Sequence, residues 1–347
     1  MLISSEISLL EHRHELANRV RSRLEPSLFD FGANERLRMV FDLEMHLAFL
    51  GESVRCDVAS IFVEYAIWTH QLLLSCGGDS LDFRVCLLAM DSQLLESGQG
   101  DWVKVARHNL AEGLRQLEIV QPVAQSYLSP DNPHLEVANT FLDDCLNLRR
   151  NEALEGIQNA IKRGISVKDV YFHVITPVMH ELGRLWHLNK ITIGLEHYCT
   201  AVAQMVMAQL FPLLFDGAAK KKRLVSACVP GELHEIGARM VSDLFELNGW
   251  DTVFLGADVP VDSVVDVILQ HNASVLAISV TMGSNLSAVS GLIAVVRANP
   301  ECAKVKILVG GAAFSVDSLL WQRLGADGWA ADPQVAIELA DGWREQA

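Results

Sequence analysis

Near residue 220 the hydrophobic pattern of this chain changes period, and that change restricts its possible folds more than any other feature. From about residue 222 onward, short β-rich runs (Arg223 to Val229, Thr252 to Leu255, Val275 to Val280, Val305 to Val309) alternate with helical patterns. Continuous apolar strands separated by helices predict a parallel sheet covered on both faces. Sheets of this kind bind ligands outside the carboxyl ends of their strands, where the strand order reverses. His234, Ser279, Thr281 and the pair Gly310-Gly311 all fall at or just past predicted strand ends. They are therefore expected to converge on one crevice.

Upstream of that change the pattern is helical. Apolar residues recur every three or four positions in Leu9 to Leu24, Leu37 to Leu50, Val58 to Leu74, Leu81 to Leu95 and Val103 to Val120. Gly51, Gly77-Gly78 and Gly98 to Gly100 read as stops between these helices. Two prolines within four residues, Pro130 and Pro133, exclude a continuous helix and mark a boundary. Four further helices are expected: His134 to Leu148, Asn151 to Arg163, Val167 to Leu188 and Gly194 to Leu214, with Asn151 and Ser166 as caps. The fold class is thus multi-domain α and α/β. An all-α domain spans 1–128, a four-helix bundle 134–216, and a doubly wound, Rossmann-like parallel domain 222–347.

Composition narrows the function. Half of the 347 residues are hydrophobic, enough for a large core, while 43 acidic against 28 basic residues oppose binding to nucleic acid. The basic stretch Arg13 to Arg23 alternates with apolar residues and reads as the solvated face of a helix. Seven scattered cysteines without CxxC pairs argue against a disulfide framework or a zinc site. With no apolar run of membrane-spanning length and no signal-peptide core, a cytoplasmic protein is expected.

The segment Glu232 to Gly237, with His234 at its centre, resembles the Asp-x-His-x-x-Gly signature of cobalamin-binding domains, with Glu in place of Asp. Ser279-Val280-Thr281 and Gly310-Gly311 resemble the second and third elements of that fold, in the expected order. By this resemblance His234 is the lower axial cobalt ligand and Glu232 orients it through its other nitrogen. Gly237, Ser279 and Thr281 are by the same resemblance cofactor-binding, and Gly310-Gly311 let the nucleotide tail thread between strands and helices.

The bundle before it is similar to the cap of CarH-type light-sensing repressors, which carry Trp, nine residues, then Glu-His. Trp186 and Glu196-His197 repeat that interval. The resemblance implies adenosylcobalamin, with Trp186, Glu196 and His197 around the adenosyl group and His187 as an upper cobalt ligand after light. The DNA-binding domain of those repressors is absent. In its place, Phe62, Tyr65, Trp68 and His70 cluster on one predicted helix. The chain here resembles photocobilins, which implies biliverdin as a second chromophore, with core packing as the bland alternative. Cys56 and Cys76 sit in no recognisable attachment motif.

The leading expectation is accordingly a non-enzymatic photoreceptor in which photolysis of the cobalt-carbon bond drives a conformational or oligomeric signal. A homo-oligomer and a protein partner downstream are expected, with no membrane or nucleic acid. The rival is a corrinoid carrier for a methyltransferase system. Trp186 and Glu196 weigh against that rival, because a methyl group needs no large upper pocket. A radical mutase is expected less still, since 128 helical residues do not build the barrel it requires.

Overall fold

A computed structural model describes residues 9–10, 12–24, 33–77, 80–97, 100–119, 125–214 and 222–343. Five helices come first: α1 (Arg13–Leu24), α2 (Ala33–Arg55), α3 (Ala59–Ser75), α4 (Ser80–Glu96) and α5 (Asp101–Gln116). A second helical group follows, α6 (Leu135–Leu146), α7 (Arg150–Lys162), α8 (Val167–Val170), α9 (Thr176–His187) and α10 (Ile193–Leu210). The remainder alternates strand and helix: β1 (Lys222–Cys228), α11 (Ile236–Leu247), β2 (Trp250–Phe254), α12 (Val261–His271), β3 (Val275–Ser279), α13 (Leu286–Ala298), β4 (Lys306–Gly310), α14 (Leu320–Leu324), β5 (Gly328–Ala330) and α15 (Pro333–Gly342). Among the described residues no helix is long and apolar enough to cross a membrane.

The sheet is wholly parallel, in the order β2-β1-β3-β4-β5. Its order reverses between β1 and β3, so the crevice expected from the sequence opens there. Period-two alternation sends Val225, Ala227, Leu276, Ile278, Ile307 and Val309 into one core, and Leu224, Val275, Ala277 and Leu308 into another. The first core is shared with α1–α5, the second with α6–α10. The N-terminal helices therefore do not hang from the sheet domain on a tether. They pack on the β3–α13 turn and on α13, which cover one of its two faces.

Local chemistry explains the departures from the sequence expectation. Gly51 lies inside α2 and does not end it. A Cβ there would sit 2.7 Å from Leu10 Cδ2, so the glycine admits the segment before α1. Ser166 caps α8 by accepting the Asp169 N–H, whereas Asn151 lies within α7 and caps nothing. The stretch from α8 to α9 carries a π-helical turn at Tyr171–Ile175. Pro177 cannot donate to the His173 carbonyl four residues back. Asn132, in the two-proline boundary, donates its Nδ2 to that oxygen at 2.7 Å. The boundary segment thus mends a backbone group that the proline leaves open. β5 went unseen in the sequence because three residues are too few for a period.

Helix α3 links the two halves of the molecule. Ser60, near its start, donates to the Val316 carbonyl beside the sheet (3.1 Å), and Ser75, at its end, donates to the His187 carbonyl at the end of α9 (2.6 Å).

Candidate functional site

The turn between β1 and α11 carries His234. Gly231 holds φ +84°, a backbone state that favours glycine, and its N–H is fixed by Asp258 Oδ1 at 2.7 Å. That turn drives Glu232 inward until no surface is left exposed. An unpaired buried carboxylate would cost several kcal/mol, so its partners decide whether it persists. Oε1 accepts the His234 N–H (3.0 Å) and faces His234 Nδ1 at 2.6 Å. Oε2 accepts the N–H groups of Thr281 and Met282, both at 2.9 Å, and Asn285 Nδ2 at 3.2 Å. Burial alone would push the Glu232 carboxyl up. The hydrogen bonds and charge of His234, together with the Met282 N–H, outweigh burial and bring it to about 2. The Glu232 bond correspondingly raises His234 above histidine's usual range.

This arrangement leaves one imidazole nitrogen, Nε2, to act as a ligand on a half-exposed ring. Among the described residues no group of three or more His, Cys, Asp or Glu side chains is placed to hold a bare metal ion. A single oriented imidazole suits a metal whose in-plane positions are already filled by a macrocycle. The crevice beside it is built for close approach. Gly311 has φ +96°, and a Cβ there would lie 2.3 Å from the Val280 carbonyl oxygen. Gly237, at the start of α11, has nothing within 4 Å of its would-be Cβ. Ser279 and Gly310 are paired in register at the ends of β3 and β4.

Helix α10 faces this turn. Glu196, Thr200 and Gln204 follow at four-residue steps, and so share one face. Thr200 donates to Glu196 Oε1 at 2.8 Å, and Gln204 Nε2 donates to Glu235 Oε1 at 2.5 Å. The charge of Glu196 contributes to the raised pKa of His234, which places this face near the ring. Thr200, Gln204, Asp258 and Asn285 were missed in the sequence. The four-residue polar step on an otherwise apolar α10 was the available signal for the first two. His197 points away, largely exposed.

The other expected residues lie elsewhere. His187 is buried, its ring stacked on Trp68 (centroids 4.9 Å apart, planes at 6°), with Nε2 2.8 Å from the Trp68 carbonyl. Trp186 also lies against Trp68, at 5.9 Å. Trp186 and His187 are thus both packed against α3, whereas Glu196 and His197 lie on α10. The aromatic set on α3 does not converge either. Phe62 is fully buried next to Gly113, and Tyr65 stacks on Phe49 and bonds His46. Trp68 faces α9, and His70 packs near Phe83 with a buried Nε2 that has no partner. Cys56 is buried and Cys76 exposed, on opposite sides of α3 in sequence.

Comparison with known proteins agrees with the crevice and corrects the sensory reading. Residues 222–338 match a family described as a B12 binding domain, and residues 137–211 match a second one of the same description. The chain is 26% identical over 211 residues to dimethylamine corrinoid protein 2 of Methanosarcina mazei, covering 59% of this chain and 95% of that protein. It is 28% identical over 189 residues to a corrinoid protein of Desulfitobacterium hafniense, covering 53% and 86%. Among solved structures, the monomethylamine corrinoid protein of Methanosarcina barkeri shares the fold, with TM-score 0.53, 22% identity, and coverage of 60% and 98%. All three relatives are named as corrinoid proteins, and the two from Methanosarcina are named for methylamines. The resemblance to CarH-type receptors and photocobilins, and with it the light-sensing function and the biliverdin site, is thereby overturned. The chain carries a helical N-terminal region, a helical B12-binding segment and a Rossmann-like B12-binding domain on a five-stranded parallel sheet.

Proposed function

We propose that this chain is a corrinoid carrier of a methyltransferase system, not itself an enzyme, which presents a cobalt-bound methyl group to partner methyltransferases. Support comes from the two matched domains, from relatives named as methylamine corrinoid proteins, and above all from the Glu232 and His234 pair. When bound, a corrinoid supplies a cobalt centre that accepts and releases a methyl group. The part of this chain is to hold that group in place. His234 Nε2 would ligate the cobalt of a bound corrinoid. Glu232 fixes the ring through Nδ1 and keeps the imidazole rich in electron density toward the metal. Gly237, Ser279, Thr281, Gly310 and Gly311 would line the strand-end side of the site that holds the corrinoid. The α10 face with Glu196, Thr200 and Gln204 borders the crevice from the helical side.

Reconstitution tests the reading. Purified protein is loaded with hydroxocobalamin, desalted, reduced to the cob(I) state and treated with iodomethane, with absorption followed throughout. The expected result is near-stoichiometric corrinoid that stays bound through reduction and methylation. Failure to retain any corrinoid, or its release on reduction, overturns the carrier reading.

A further inference from the structure

The turn from β3 to α13, residues 281–287, is held at both ends by buried carboxylates from different parts of the chain. At its start, Glu232 accepts the N–H groups of Thr281 and Met282. At its end, Glu52 of α2 accepts the Ser287 N–H at 2.9 Å through Oε1. Glu52 has no exposed surface, and its Oε2 is bound by Arg55 Nε at 2.8 Å. Arg55 in turn donates through Nη1 to Ser290 Oγ at 3.0 Å, one turn further along α13. Between the two carboxylates the turn presses on the N-terminal helices. A Cβ on Gly283 would lie 3.1 Å from Phe49 and 3.3 Å from Ile61.

The geometry points to Glu52 as a positioning residue for the corrinoid site. By fixing the end of this turn it keeps the 281 and 282 N–H groups aimed at Glu232, and so holds the His234 ring in its ligating orientation. Glu52 lies outside both matched B12-binding segments. The N-terminal helical region is on this account part of the cofactor site, acting through one loop. The inference rests on His234 being the axial ligand.

The test uses full-length protein loaded with hydroxocobalamin and reduced to the cob(II) state. Electron paramagnetic resonance reads the axial nitrogen, and incorporation of histidine enriched in heavy nitrogen turns the splitting from a triplet to a doublet only when the ligand is histidine. Glu52→Ala is expected to lose much of the histidine-derived splitting and to bind hydroxocobalamin about 10-fold more weakly. Glu52→Gln keeps an oxygen for the Ser287 N–H and should restore most of both. Arg323→Ala removes a different contact between the same regions, from Arg323 Nη1 to the Cys56 and Asp57 carbonyls. It should lower thermal stability and leave the splitting whole. If Glu52→Ala does not fold, Gly283→Ala pushes on the same turn without touching either carboxylate, and the same loss of splitting is expected. Splitting and affinity unchanged in Glu52→Ala, or in Gly283→Ala where that variant stands in, reduce Glu52 to a docking contact and overturn the inference. Wild-type protein that binds corrinoid without histidine splitting overturns the axial-ligand reading first, and this inference with it.

Discussion

Gly311 and Val280 meet so closely that the backbone of one excludes a side chain on the other. A Cβ at 311 would fall 2.3 Å from the Val280 carbonyl oxygen and 2.9 Å from its nitrogen, and residue 311 already has φ +96°. Both the overlap and the dihedral oppose any substitution. Gly311→Ala is expected to cost roughly 2–3 kcal/mol, read by chemical denaturation. Gly237→Ala, where the space is open, should leave the apoprotein at least as stable while weakening corrinoid binding. Equal destabilisation by the two changes would contradict this account of the crevice.

The axial pair makes a spectroscopic prediction. His234→Ala should abolish the histidine-bound spectrum of reconstituted protein. Glu232→Gln should weaken corrinoid affinity by about 10- to 100-fold, as removal of a ligand's hydrogen-bond partner does elsewhere. A Glu232→Gln variant with wild-type affinity would show that the carboxylate is only a structural anchor for the turn.

Tyr171 joins the helical B12-binding segment to α11. Its hydroxyl donates to Asp243 Oδ2 at 2.7 Å, both side chains are buried, and burial raises the Asp243 carboxyl above its usual range. Tyr171→Phe removes the donor and leaves the carboxylate short of a partner. A loss of about 1–3 kcal/mol is expected in denaturant melts, and Asp243→Asn in the same background should recover part of it.

His46 gives a pH dependence. Burial pushes its imidazole down to about 3. The folded state therefore keeps it neutral while an unfolded chain takes up a proton below about pH 6.5. The stability of this packing is complete above about 6.5 and falls as the pH drops toward 3, by at most about 1.4 kcal/mol per pH unit. His46→Gln should flatten that component. Thermal melts of both proteins at pH 7 and pH 5 measure it, and parallel curves would rule out the assignment.

The sheet and the turn between β1 and α11 were legible in the sequence because both depend on local rules. Apolar runs show the strands, and glycine with positive φ at 231 and 311 marks the places where backbones must approach. What the sequence could not show was which surfaces meet. Trp186 read as a cover over an adenosyl group and His187 as a cobalt ligand after light, yet both pack on Trp68 of α3, more than a hundred residues away. Gly51 read as a helix stop because its actual partner, Leu10, is remote in the pattern that was being counted. Glu52 carried no motif at all, since its value lies in the Ser287 N–H across the interface.

Helix α3 acts as a gauge between the sheet domain and the end of α9. From Ser60 to Ser75 it runs about 22 Å as a rigid rod, so while both ends hold, the distance between the sheet and the end of α9 is fixed. Its ends are not equally held. At the sheet, α3 and the adjoining α2 are secured by the Val316 carbonyl, Arg323 and the buried Glu52 and Arg55 pair. At α9 the grip is the Ser75 hydroxyl and the His187 ring on Trp68. A load on α3 is therefore felt first at the α9 end, where one hydroxyl and one stacked ring pair hold it. The stacked rings of Trp68 and His187 thereby set how firmly α9 is tied to the N-terminal helices.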